Sequence, residues 1–544
     1  MAYGPRNERL LERNQDGFEW RYAYDKLARL KQQTDPNGTA RTPTYDPAGR
    51  VLFVDFSSGR RDAFTPDAND NITAVSRSDP DGTTTPTQFI YDPLDRVVEQ
   101  DDALFQTVLY GYDPLGRVTT VTYPGGNTLT NGCDALGRLT NQVDWAGRKT
   151  SYAYDAANRL IRRSYPNGVL QTNTFNPAGR LSGIWYRAPG LVTTNAISIA
   201  LTYAYDRNGN KVGGGEQGTM EWPLPTLTDE RADYTAAGRL KTRSITNTGT
   251  NAVPSPGGEG QGEGGTLSYS YDPSGNLTNA VKVIGGTNAE NWTLTYDEDN
   301  RTTSIIWITN GVTHTIQNRY DALGRRISKT VDGMTTGYVL NLSGGMERIL
   351  CDLDASGNVT AWYVHGPDLC YRVDATNGLT CYHADAMANV IALTGPGGTN
   401  LAQYAYTPYG RVLGSTNFPP STINSQPFTF VGSQGVMEEF PGLYFMRARY
   451  YSVDASVFLS TDPVKHIGPG WMPFAYGYAE ENPISNIDPK GETPAHLGAF
   501  LLGLQYGMIE GVFESAVEET LSVLPTVAGL AARQKSPAFG NSEG

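Results

Sequence analysis

Hydrophobic and polar positions alternate along this chain in short runs. Stretches such as Arg117-Val118-Thr119-Thr120-Val121-Thr122-Tyr123 are β-branched and partly alternating, the period of a strand with one covered face. The runs are cut at regular intervals by a signature of the form Tyr-Asp-x-x-Gly-Arg. It begins at Tyr24 and Tyr45, has a degenerate copy at Asp67-Ala68-Asn69-Asp70-Asn71, and continues at Tyr91, Tyr112, Cys133, Tyr154 and Phe175. From Tyr91 to Phe175 every step is 21 residues; later copies at Tyr205, Tyr234, Tyr271, Tyr296 and Tyr320 are more widely spaced.

The signature has a physical reading. In Asp-Pro-x-Gly the Asp caps a type I turn, Pro presets φ at the second position and Gly takes the fourth. A second turn signal lies 12 residues after each Tyr position, as in Pro36-Asn37-Gly38, Pro124-Gly125-Gly126 and Pro166-Asn167-Gly168. Two turns in each repeat leave two strands of about seven residues, roughly 23 Å each at ordinary strand rise. The repeat is one β-hairpin.

A lone hairpin is marginal because it cannot bury its apolar face; a dozen in series form a wide twisted sheet that must curl, close or wrap. The expected fold is all-β, a long antiparallel sheet of 21-residue hairpin repeats curled into a shell, with a short helical C-terminal tail. The period alone does not separate this from a flat rod without an interior. The repeat region is assigned to 1–340, with a Gly- and Pro-rich surface insert at 246–265, a second non-repeating region to 341–492 and a tail to 493–544. The tail reads as a helix from about Pro494 to Leu524, stopped by Pro525. Ala499, Gly503, Gly507 and Gly511 make a smooth ridge on it, and Glu510, Glu514 and Glu518 an acidic stripe. Gln505 and Glu510 break its apolar run short of the ~18 residues of a spanning helix, so a packed amphipathic helix is expected rather than a membrane segment.

Composition narrows the chemistry. With 39% apolar and 18% charged residues the chain is globular, and a net charge of −13 argues against nucleic acid as partner. The four cysteines, Cys133, Cys351, Cys370 and Cys381, show no zinc spacing and read as free packing thiols. The five histidines are scattered, His383 reading as structural, and no phosphate loop or dinucleotide fingerprint is present, so no metal or cofactor is expected. No basic, apolar signal segment opens the chain; export to the cell surface or medium through a dedicated system, or an origin as the later portion of a longer protein, is the expectation.

On these motifs the chain resembles the RHS/YD-repeat family over nearly all of residues 20–492. A block in the last third carries the likeness furthest: Tyr382-His383-Ala384-Asp385, Gly442-Leu443-Tyr444-Phe445-Met446-Arg447-Ala448-Arg449-Tyr450-Tyr451, Phe458-Leu459-Ser460-Thr461-Asp462-Pro463 and Asp488-Pro489-Lys490-Gly491. It is similar to the RHS-associated core domain. The resemblance implies a hollow shell, a core domain plugging one end, and a C-terminal toxin segment held inside as cargo. It also implies an aspartyl autoprotease, with Asp462 and Asp488 as paired carboxylates and Arg449 as their partner, cutting between Glu492 and Thr493. Paired carboxylates suit this work because two that share one proton supply both base and acid. The chain departs from the family pattern at Val457, at Lys465 in place of Gly, and at Glu492 in place of Leu.

The leading functional expectation is a bacterial RHS shell protein that encloses or presents its C-terminal segment, with at most a self-directed peptidase activity. An N-terminal shell portion or a secretion-apparatus protein are the further partners this implies. A cell-surface scaffold binding carbohydrate or protein, and an inactive fragment of a larger RHS protein, stay open beside it.

Overall fold

The computed structural model describes residues 1–14, 16–190, 196–207, 211–217, 228–234, 239–247, 265–342, 346–416, 426–463, 475–492 and 495–496. Within them the hairpin repeat is realised almost unit for unit. Thr107–Tyr112 pairs antiparallel with Val118–Thr122, which pairs in turn with Thr128–Cys133. Strands in this regular stretch are five or six residues long, shorter than the seven expected, because each turn takes in five residues rather than four.

The turn at Asp113-Pro114-Leu115-Gly116-Arg117 shows why. The Gly116 amide donates to the Asp113 carbonyl (3.0 Å), closing the type I turn, and Gly116 then adopts φ 82°, left-handed backbone that favours glycine. Asp113 Oδ1 accepts the amides of Leu115 (2.9 Å) and Arg117 (3.0 Å), and its Oδ2 accepts Arg117 Nε. The motif also fastens neighbouring repeats. Arg117 Nη1 donates to the Asp134 carbonyl of the next turn (3.0 Å), and Tyr112 donates its hydroxyl to the Val97 carbonyl (2.7 Å) while its ring lies under Arg96, 4.6 Å away. Tyr, Asp, Gly and Arg are therefore each required by a different contact, which is why they recur together.

The hairpins assemble into two sheets rather than one. The first has 20 strands, from Ala2–Tyr3 to Lys211–Gln217, and the second 16, from Thr228–Tyr234 to Val412–Thr416. In both, each strand pairs with its successor along the chain, and neither closes into a barrel among the described residues. Pairing in the second sheet runs on through residue 341 to Thr416, so the region expected as a separate core domain supplies several of its strands.

The two sheets share one core. It is built from the strand ends beside the second turns: Tyr110, Val121, Tyr123 and Leu129 of the first sheet are buried with Val339, Cys351, Tyr363 and Tyr371 of the second. Leu115, at the opposite turn, is 75% exposed. Hydrogen bonds cross the seam: Tyr123 donates to the Tyr363 carbonyl (2.9 Å), Gln142 to that of His365 (2.9 Å) and Tyr186 to that of Ala384 (2.7 Å). Arg60 of the first sheet reaches Glu298 (2.9 Å) and Asp299 of the second. His383 is packed edge-on against Tyr165 and bonded to Thr394 Oγ1 (2.7 Å); burial pulls it down to about 3, so it is a neutral core residue. Cys351, Cys370 and Cys381 are free and buried, and Cys133 is half-buried at a Tyr position.

A small four-stranded sheet follows: Met437–Phe440, Leu443–Met446, Arg449–Ser452 and Val457–Phe458. It is tied to the second sheet through Glu439, which is fully buried between Arg326 (2.6 Å) and Lys329 (2.8 Å). Ala495–His496 pair as a short strand with Asn486–Ile487, where a helix is expected. The rest of the expected helix, most of the insert at 246–265, Lys465 and Thr493 lie outside the described residues.

Candidate functional site

The site is built on the hairpin between Leu443–Met446 and Arg449–Ser452. Its two-residue turn, Arg447-Ala448, places Arg447 in left-handed backbone (φ 55°). The segment Asp488–Glu492 lies along this turn and is held residue by residue. Arg447 Nη1 donates to the Pro489 carbonyl (2.6 Å), the Ala448 amide to that of Lys490 (3.1 Å), and Arg449 Nε to that of Gly491. The fit leaves no room at Gly491, whose φ is 68°: a Cβ there would sit 2.5 Å from the Met446 carbonyl oxygen.

Arg449 brings the expected dyad together. Its side chain is buried against Phe458, the guanidinium carbon 3.7 Å from the ring centre. Nη2 stands 3.0 Å from Asp462 Oδ2 and 3.5 Å from Asp488 Oδ2, so a single nitrogen faces both carboxylates, which are 26 residues apart in sequence. Nη1 donates to the Ala475 carbonyl (3.1 Å), which also receives the Asp462 amide (3.1 Å) and so fixes that Asp in place.

The two carboxylates stand in different surroundings. Asp488 is fully buried, and its Oδ1 caps the turn by accepting the amides of Gly491 (2.8 Å) and Glu492 (3.2 Å). Burial raises its pKa, against the opposing pull of Arg449 and of the Glu492, Gly491 and Lys490 amides. Asp462 has a side chain 24% exposed. Arg449 is itself lowered by burial, opposed by Asp462, Asp488 and Glu492. A buried carboxyl raised by burial and a second, partly exposed carboxyl across a shared guanidinium are groups of the kind that acid–base hydrolysis of an amide uses.

All the expected site residues that are described, Arg449, Asp462, Asp488 and Glu492, therefore meet in one place. Arg447 was not singled out from the sequence, although it stands two residues before Arg449 in the same strand–turn–strand run. Its Nη2 also ties the Glu347 carbonyl (2.7 Å) and the Gln434 carbonyl (2.8 Å) to the site.

The RHS Repeat family matches residues 67–104, 91–128 and 134–170. The tRNA3(Ser)-specific nuclease WapA of Bacillus spizizenii is 31% identical over 227 residues, 41% of this chain and 9% of the relative. Toxin protein Tse5 of Pseudomonas aeruginosa is 28% identical over 338 residues, 55% of this chain and 24% of the relative. The chain thus spans about a tenth to a quarter of the length of these relatives. Among solved structures, the crystal structure of TcdB2-TccC3-Cdc42 superposes with a TM-score of 0.54 at 15% identity, over 92% of this chain and 30% of that one, a likeness of fold.

Proposed function

The chain is an RHS-repeat protein, and from that premise we propose that it encloses or presents its own C-terminal segment and frees it by aspartyl self-hydrolysis after Glu492. The observation that carries the proposal is the joint placement of Asp462 and Asp488 on Arg449, with Asp488 also bonded to the Glu492 amide, one residue from the bond to be cut.

The step balances within the site. Asp462, the partly exposed member of the pair, acts as base and removes a proton from a water molecule, whose oxygen adds to the Glu492 carbonyl carbon. Asp488, protonated, donates to the carbonyl oxygen. Collapse of the tetrahedral adduct breaks the bond between Glu492 and Thr493; the departing nitrogen takes a proton from Asp462, and the hydroxyl proton returns to Asp488. Arg449 holds the two groups together and keeps Asp462 ionised. The products are residues 1–492 and 493–544. Relatives named as toxins accord with export of such a protein and with a toxin-like role for the released piece.

Intact-mass measurement of the purified full chain during incubation is the test. The wild-type protein is expected to yield the two products, and Asp462→Asn and Asp488→Asn only the full-length mass. Because Asp488 must carry a proton, the rate falls as pH rises through its elevated pKa. A wild-type chain that stays intact across the acidic to neutral range would sink the proposal.

A further inference from the structure

A cavity of about 100 Å³ lies between the two sheets. Leu160, Phe175, Leu181 and Ile184 of the first sheet give it an apolar wall, and Asp368, Ala386 and Ser433 stand on the other side. Gln434 also lines it, and the Gln434 carbonyl receives Arg447 (2.8 Å), so the cavity borders the proposed cutting site without including the dyad.

Most polar groups of the lining are spent on one another. Gln171 Nε2 donates to Asn173 Oδ1 (3.0 Å), and Asn173 Nδ2 to the Leu160 carbonyl (3.0 Å). Asp385 accepts the Met387 and Asn389 amides (2.8 and 2.9 Å) with one oxygen and Asn389 Nδ2 (2.9 Å) with the other. Among the described residues, three lining atoms are buried without a hydrogen-bond partner: Arg163 Nε, Asp368 Oδ1 and Ser433 Oγ. Arg163 and Ser433 are only 2% and 3% exposed. Arg163 Nη1 lies 2.7 Å from Asp368 Oδ1, which pairs the two charges, and donates to the Tyr165 hydroxyl (3.0 Å), while the Nε hydrogen stays unused. Buried polar atoms of this kind destabilise the fold unless something in the cavity meets them.

The unmet atoms specify what fits. Arg163 offers a donor and Asp368, its ion-pair partner, an acceptor; the Ser433 hydroxyl can serve as either. A primary carboxamide carries the complement side by side in one plane, a carbonyl oxygen for Nε and an N–H for the carboxylate. Charge favours the same choice. The one guanidinium is already paired and a second carboxyl, Asp385, shares the lining, so an added anion would find no free cation among the lining residues. The volume suits a molecule of about six heavy atoms, and the apolar wall a branched hydrocarbon end. The geometry points to a binding site for a small primary carboxamide with a short branched apolar body, held by Arg163, Asp368 and Ser433. Nothing in this assignment depends on self-cleavage.

The test is titration with isobutyramide, followed by saturation-transfer NMR on the full chain carrying Asp462→Asn, so that the sample stays intact. Saturable binding is expected. Ser433→Ala removes a hydroxyl that has no partner in the protein and should weaken binding about fivefold, the worth of one hydrogen bond. Ala386→Leu fills the cavity and should abolish binding while keeping or raising the melting temperature, which separates loss of the site from loss of the fold. Isobutyrate, of the same shape but anionic and without an N–H, should bind at least about tenfold more weakly. Absence of saturable isobutyramide binding would overturn the proposal and leave water as the occupant. Binding unchanged in Ala386→Leu would overturn the location, and isobutyrate binding as tightly as isobutyramide would overturn the carboxamide assignment.

Discussion

Asp102 sits at a second turn of the first sheet and is buried where most turn aspartates are wet. Its Oδ1 accepts the amides of Leu104 (2.8 Å) and Gln106 (2.9 Å), which favours the ionised form, but burial prevails and pushes the carboxyl up to about 6. A folded-state pKa above the unfolded one means that the folded chain binds the proton more tightly. Stability from this group is thus present at acid pH and lost as pH rises from about 4 toward 6. Two pKa units correspond to roughly 3 kcal/mol, so the contribution is order-of-magnitude 2–3 kcal/mol. Asp102→Asn keeps the turn acceptor and removes the titration. Denaturant unfolding of both proteins at pH 4 and pH 7.5 is the check: the wild type is expected to lose about 2–3 kcal/mol relative to the variant between the two. An equal pH response in the two would show that Asp102 is not the group responsible.

At the scale of the hairpin, every regular turn places its fourth residue in left-handed backbone. Where the repeat is regular that residue is Gly, as at Gly116, Gly137 and Gly179; where it degenerates, Ala28, Asp95, Phe105 and Asn158 adopt the same conformation with φ near 60°. Phe105 bears the cost most plainly, since its side chain is 81% exposed and gains little packing in return. Left-handed backbone costs an L-residue about 1–2 kcal/mol, part of which is returned when Gly loses its greater unfolded-state freedom. Phe105→Gly is therefore expected to stabilise the protein by about 0.5–1 kcal/mol, read as a raised melting temperature; a fall would mean that the exposed ring has a contact of its own. This is also the scale at which the sequence was most legible. Tyr112, Asp113, Gly116 and Arg117 write the turn, the bulge and the link to the next repeat within six positions, so a local pattern sufficed for the hairpin. The division into two sheets was not legible, because Tyr123 meets Tyr363 and Gln142 meets His365 across more than 220 residues, with no periodic mark at either end. The candidate site stood between these cases. Resemblance supplied Arg449, Asp462 and Asp488, while Arg447 stayed hidden because its contacts are with backbone carbonyls, which leave no trace in side-chain identity.

At the scale of the molecule, the seam between the sheets contains a buried ionic knot. Arg60 has a side chain only 1% exposed; it contacts Asp62 of its own sheet together with Glu298 and Asp299 of the other, and lies 3.7 Å from Asp297. Arg77 and Arg301 converge on Asp297 (3.2 and 2.7 Å), and Arg41 approaches Asp299 (3.7 Å). Burial works to raise the Asp299 carboxyl, yet Arg60, Arg301 and Arg41 hold it well below the usual carboxylate range. Such a knot is costly to assemble from water and costlier to break, since removing one member strands the others without compensation. Arg60→Met keeps much of the side-chain volume over the Phe56 ring and deletes the charge, taking from Asp62 and Glu298 the guanidinium they contact while Asp299 keeps Arg41 and Arg301. A loss of about 3–5 kcal/mol is expected. The distribution of that loss matters more than its size. Because the two sheets share one hydrophobic core, opening at Arg60 should propagate into both, and amide hydrogen exchange should accelerate in Val51–Phe56 of the first sheet and in Thr302–Thr309 of the second alike. Faster exchange confined to the first sheet would show two separately stable walls that merely touch, and the seam would then be a place where the molecule opens rather than the core that holds it shut.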